Sequence, residues 1–238
     1  MAFYRGPKIV TSGIQLYLDA ADRNSYPGSG TTWRDLSSNG LTGTLTNGPT
    51  FSQSNAGVIN FDSVDDYVEN VGSTSSFSFI QNTGIYTISA WVKLNALGTD
   101  RYFLGNNDGT GAQKGFYLGY EASSDRIRLL ISYADPSLYT LNTSTGPYFT
   151  AGDWINVTCV GNGTSNQFYK NGSAISTTVN FGTFSTGNSA RTLAVGRINN
   201  FASNTWNGGI SSVMIYNRAL TASEVSQNFN AMRGRFGV

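Results

Sequence analysis

The chain has 238 residues, with 15 Lys and Arg against 14 Asp and Glu, a net charge of +1 and no histidine. Near-neutrality argues against a nucleic-acid surface of the usual strongly basic kind, and no run of about 18 apolar residues offers a membrane span. Only 12% of residues are charged, while 28 Ser, 25 Thr, 24 Asn and 28 Gly fill the sequence, which excludes a helical bundle, a coiled coil or a charged disordered tail.

Residues 1–12 precede the first strand signal and carry Phe3, Tyr4, Pro7 and Ile9 beside Arg5 and Lys8. A closed sandwich has no obvious place for these side chains. The segment therefore reads as a docking tail, with Phe3, Tyr4 and Ile9 as anchors and Arg5 at the rim. The domain itself is expected over 13–238. Short alternating runs follow, separated by Gly, Asn, Ser and Asp. Predicted strands cover 14–18, 58–61, 67–71, 86–94, 102–104, 115–120, 126–132, 154–160, 166–169, 174–179, 193–197 and 209–216, with Asn171-Gly172 as the strongest hairpin turn. Ile88, Ala90, Val92, Ile155, Val157 and Cys159 alternate with polar neighbours and should meet between layers. This pattern predicts an all-β, two-sheet antiparallel sandwich.

One short C-terminal helix is expected near the end. Thr221 and Glu224 form a capping box, and Val225, Phe229 and Met232 make an apolar stripe that Gly234 stops. The last six residues repeat the character of the first twelve. Phe236 reads as an anchor, and Arg233 and Arg235 as partners for carboxylates on a neighbouring subunit.

The absence of histidine removes Ser-His-Asp and Cys-His catalysis, His-ligated zinc and a histidine pH switch. Cys159 is the single cysteine, so no intrachain disulfide can form; it reads as a small buried hydrophobe.

Three groups of residues, in order, resemble the laminin-G-like, concanavalin A-like jelly roll. The first is Trp33 to Gly40, Gly43-Thr44-Leu45, Val58 to Phe61 and Asp65 to Val68. The second is Tyr86 to Lys93. The third is Trp154, Tyr169 to Gly172, Val195-Gly196-Arg197, Asn207 to Ile210 and Tyr216 to Thr221. The resemblance implies a jelly-roll sandwich, a fold that serves lectins, glucanases, adhesion modules and virion proteins alike. Ser38 stands where the family usually shows Gly. A narrower resemblance joins Gly13 to Asp19, Ser25 to Trp33 and Asn230 to Gly237 to structural proteins of tailed bacteriophages. It implies a protein of the virion surface, a capsid decoration or fibre component, whose partners are other virion proteins or copies of itself, with cell-surface glycan adhesion as an added capacity.

Glycoside hydrolysis uses two carboxylates about 5–9.5 Å apart. The concanavalin A-like glucanases set two Glu and an Asp at alternating positions of one strand. The three Glu here, 69, 121 and 224, stand in no such run, so the expectation is a protein that is not an enzyme. Calcium prefers six to eight oxygen ligands. Asp35 and Asn39 from one loop, with Asp62, Asp65 and Asp66 from another, could supply them, although the same residue types also cap their own turns. A calcium-dependent carbohydrate-binding lectin module is thus the alternative reading. Its aromatic rim would come from Trp33, Tyr133, Tyr139, Tyr148 and Trp206, while Trp91 and Trp154 lie in strong strands and read as packing residues.

Overall fold

The computed structural model describes residues 7–107, 114–132, 139–144, 146–179, 184, 186–198 and 204–238, with backbone alone at 139–143 and 177–179. In chain order the strands are β1 (Ile14–Asp19), β2 (Thr32–Trp33), β3 (Gly43–Thr46), β4 (Thr50–Ser52), β5 (Val58–Asp62), β6 (Tyr67–Val71), β7 (Ile85–Leu94), β8 (Arg101–Gly105), β9 (Gly115–Glu121), β10 (Arg126–Ser132), β11 (Tyr139–Thr143), β12 (Trp154–Asn162), β13 (Ser165–Lys170), β14 (Ser173–Val179), β15 (Leu193–Val195) and β16 (Asn207–Tyr216). Helix α1 (Ser78–Thr83) precedes β7, and α2 (Ala222–Met232) follows β16.

Two eight-stranded sheets result, and every ladder within them is antiparallel. The back sheet runs β14-β13-β12-β7-β16-β5-β4, and the front sheet β11-β10-β9-β8-β15-β6-β3-β2. β16 pairs with β7 along one side. Its other side is shared end to end, by β5 over Asn207–Ile210 and by β1 over Ser212–Tyr216.

The core forms where the period-2 alternation predicts it. Cys159 faces Ile88, Val157 faces Ala90 and Ile155 faces Val92 across the β12–β7 ladder, and all six side chains are buried between the sheets. Each large aliphatic side chain removed from water here contributes about 1.5–3 kcal/mol. Burial at Cys159 pushes its thiol well above the ordinary range, as befits a packing residue.

A second apolar layer lies outside the back sheet. Trp91, Met214 and Tyr216 sit on the face opposite the core and meet Val225 and Met232 of α2. The capping box forms as the sequence predicts: Glu224 N–H donates to Thr221 Oγ1 at 3.3 Å, and Thr221 N–H donates to Glu224 Oε2 at 2.9 Å. Arg218 grips the same carboxylate through both terminal nitrogens at 2.7 and 2.9 Å. These bonds hold the Glu224 carboxyl down to about 2.

The expected docking role of Ile9, Arg235 and Phe236 is corrected by this layer. Gly234 does not end the helical path; a 3₁₀ turn over Arg233–Arg235 continues it. That turn lays the Phe236 ring parallel to Trp91, with centroids 4.0 Å apart, and beside Trp154 at 4.9 Å. Arg235 pairs with both oxygens of Asp19 at 3.0 Å, and also bonds Ser211 and Asn55. Arg235 and Phe236 are therefore occupied inside the fold, because the flat outer face of Trp91 needs cover and Asp19 needs a counter-charge. Arg233 stays exposed, with its guanidinium 5.9 Å from the Phe229 ring centre. At the other end Ile9 packs into the same outer layer. Val10 N–H donates to Asn228 Oδ1 at 2.7 Å, Tyr216 OH donates to the Val10 carbonyl, and Gln227 donates to that of Lys8. Residues 8–12 are thus part of the domain's own packing rather than a separate tail. Phe3, Tyr4 and Arg5 lie outside the described residues. No helix among the described residues is long and apolar enough to cross a membrane.

Candidate functional site

The turn between β5 and β6 carries the acidic cluster. Ser63 adopts a left-handed φ of 74°, which folds Asp62, Asp65 and Asp66 together. Carboxylate oxygens of these three lie within 4.8 Å of one another. Asp62 Oδ1 accepts from Val64 N–H at 2.8 Å, and Asp66 Oδ2 accepts from Asp62 N–H at 3.1 Å. Asp66 is 4% exposed. Burial raises its carboxyl above the usual range; the bond from Asp62 N–H works against this, and the Asp62 and Asp65 charges add to it. Among the described residues no Lys or Arg pairs with the cluster.

A groove of about 230 Å³ opens beside it, lined by Asn47, Thr50, Asn60, Asp62 and Asp66. Asn47 and Gly48 at φ 67° and 110° turn the β3–β4 connection over the groove. Asn47 Nδ2 then donates to the Asp65 carbonyl at 3.1 Å. The left-handed φ at position 48 is what calls for glycine; a Cβ there would only touch Asp66 Oδ1 at 3.7 Å. The donor set is hard oxygen with like charges crowded together, which fits a divalent cation such as calcium held by Asp62, Asp65 and Asp66. The amides and hydroxyl around it suit a hydroxyl-rich ligand. The sequence marked the three Asp residues and missed Asn47, Thr50 and Asn60. Asn47 and Thr50 come from the β3–β4 turn and the start of β4, while Asn60 stands two residues before Asp62 on β5; the left-handed Asn47-Gly48 turn was the local cue.

Asp35 and Asn39 do not join this cluster. The β2–β3–β6 register carries the chain after Trp33 past the Val71 end of β6, whereas Asp65 and Asp66 precede Tyr67 at the other end. Asp35 is occupied as a loop organiser. Its Oδ1 accepts from the N–H groups of Tyr17 and Ser37, and its Oδ2 from Ser37 Oγ and Leu41 N–H. Asn39 donates to the Gln15 carbonyl at 3.1 Å. The turn-capping account holds for this loop.

The aromatic rim is corrected at Trp33 and Trp206. Trp33 and Trp206 are fully buried in the core. Trp206 meets Phe103 edge-on at 5.3 Å and Phe149 at 6.4 Å, and its Nε1 donates to the Gly209 carbonyl at 3.4 Å. Tyr148 is half-buried against the core, with its hydroxyl donating to the Ile175 carbonyl. Tyr139 pairs with Ser132 at the start of β11, its side chain outside the described residues, and Tyr133 lies outside them altogether. All three Glu are engaged: Glu69 accepts from Thr46 Oγ1 at 3.1 Å, Glu121 pairs with Arg128, and Glu224 caps α2.

Comparison with known proteins agrees with this architecture. A family model described as the concanavalin A-like lectin/glucanases superfamily matches residues 62–226. The chain belongs to that superfamily. Solved structures share its fold at low identity. Trypanosoma rangeli sialidase in complex with sialic acid matches with a TM-score of 0.67 at 16% identity, over 97% of this chain and 35% of that one. The chain thus spans about a third of the sialidase's length. The binding domain of Paraclostridial Mosquitocidal Protein 1 matches with a TM-score of 0.69 at 17% identity, over 93% of this chain and 52% of that one. Domain 4 of AbnA, a GH43 extracellular arabinanase from Geobacillus stearothermophilus, in complex with arabinotriose, matches with a TM-score of 0.66 at 16% identity, over 91% and 98%. No curated protein sequence matches the chain.

Proposed function

We propose that this concanavalin A-like domain is a non-catalytic recognition module that binds glycan at the acidic rim. The observation that carries the reading is the Asp62, Asp65 and Asp66 cluster beside a groove lined by Asn47, Thr50 and Asn60. Two or three oxygens of a sugar can bond such amides and hydroxyls, and a calcium ion on the carboxylates would supply further coordination to sugar hydroxyls. The AbnA domain, which the chain covers almost end to end, is in complex with arabinotriose; that supports the reading by analogy of fold. The test is a glycan array probed with and without calcium. Retention that falls with chelator and with Asp65→Asn supports the reading; a domain that retains no glycan in either condition refutes it.

We also propose that the module is displayed at a virion surface, as a decoration or fibre component contacting other virion proteins or copies of itself. The residues at the N-terminal end of the domain, Gly13 to Asp19 and Ser25 to Trp33, support this through their resemblance to phage structural proteins. The C-terminal part of that resemblance has a separate explanation in the packing of Arg235 and Phe236. Mass spectrometry of purified particles tests the placement, and absence of the chain from them rejects it.

A further inference from the structure

A second cleft, of about 400 Å³, lies on the opposite side of β4 from the acidic groove. In the β4–β5 ladder Thr50 pairs with Asn60 and Phe51 with Ile59, so Thr50 faces the acidic groove and Phe51 faces the core side. Phe51 and Tyr26 form the cleft's aromatic wall, with ring centroids 5.2 Å apart. Arg23, Ser29 and Gln53 stand around it, and no carboxylate lines it. Among the described residues Arg23 joins no ion pair; its Nη1 reaches the Pro27 carbonyl only at 3.5 Å. Gly28, at φ 100°, faces Phe51 without filling the space.

The wall is preset. Asn55 and Ala56 both hold left-handed φ values, 51° and 68°, a costly arrangement for residues other than glycine. Arg235 fixes it from the C-terminus: Asn55 Nδ2 donates to the Arg235 carbonyl at 2.7 Å, and Arg235 Nε donates to the Asn55 carbonyl at 3.2 Å. Gly57 then lets this loop touch the Ala20 carbonyl, where a Cβ would come within 2.2 Å.

We infer that this cleft is a subsite for a carboxylate-bearing sugar. The inference rests on the glycan-binding reading and names a ligand class for it. A pyranose ring stacks on Phe51, its hydroxyls meet Ser29 and Gln53, and its carboxylate meets the Arg23 guanidinium in a charge-assisted pair. A neutral sugar would forgo that charge-assisted pair and leave Arg23 to water.

The test is retention of the full chain on immobilised oligosaccharides ending in glucuronic or N-acetylneuraminic acid, beside the same oligosaccharides after carboxyl reduction. The acidic set should be preferred, and that preference should shrink as ionic strength rises. Arg23→Gln alters an exposed side chain, so the domain should melt as before while the preference for the acidic set falls at least about tenfold. Arg23→Lys should restore part of it. Equal retention of the two sets, or an Arg23→Gln variant with undiminished preference, overturns the subsite and leaves glycan binding at the acidic rim standing. Retention of neither set overturns the glycan reading itself, and the subsite with it.

Discussion

Phe236→Ala is the perturbation that separates an internal latch from a docking anchor. Phe236 is 8% exposed and stacks on Trp91 at 4.0 Å with an interplanar angle of 11°. Truncating a buried Phe to Ala costs about 3–5 kcal/mol, more where the site cannot collapse. Phe236 lies at the outer surface of its layer and keeps 8% of its surface exposed, so the lower end, about 3 kcal/mol, applies. For a domain of this size each kcal/mol moves the melting temperature by about 2–4 °C, which predicts a fall of about 6–12 °C. Thermal unfolding followed by circular dichroism measures it, and the near-ultraviolet spectrum should change as Trp91 loses its stacked neighbour. A variant that melts within about 1 °C of the parent would refute the latch and return Phe236 to the partner-binding role.

Other outcomes follow from the same geometry. Val157→Asp places a carboxylate at a fully buried position between the sheets; it should cost several kcal/mol and leave no cooperative transition at 25 °C, and a native-like melt would show that the layer assignment is wrong. Calcium at about a hundred times its dissociation constant should stabilise the domain by about 2.7 kcal/mol through mass action. That gain should be absent in Asp65→Asn, and should fade as the pH falls into the raised titration range of Asp66, where protons displace the cation; no shift at millimolar calcium rejects the metal. The lowered Glu224 carboxyl contributes stability that is present above the ordinary value of 4.5 and is lost as the pH falls towards about 2. Glu224→Gln should therefore cost about 1 kcal/mol at neutral pH; a gap from the parent that stays constant through acid titration would contradict the Arg218 and Thr221 assignment.

The long strands were legible because their alternation is local. Tyr86 to Leu94 and Trp154 to Val160 each place apolar residues every second position, and one face had to be core. β2, β3 and β4 span two to four residues, too short to display a period. Helix α1 escaped because it lies in a Ser-rich stretch, has no capping side chain and is pinned instead by burial of Phe77 and Ile80. Trp33 and Trp206 looked loop-like because their neighbours are polar, yet both reach the core from strand ends. The three Asp of the acidic rim were visible as a cluster. Asp35 was grouped with them by composition, although a two-residue strand directs it to the other end of the front sheet. Arg235 and Phe236 were misread because their partners, Asp19 and Trp91, lie far away in sequence, where no short-range pattern can report them.

Val10 and Phe236 belong to one apolar cluster on the outside of the back sheet, so two segments far apart in sequence close one layer together. Loosening either segment should therefore loosen the other, so the outer layer melts as one unit with the sheet beneath it. An insertion that spares this layer is best placed at Gly98, whose Cβ position is free of neighbours within 4 Å.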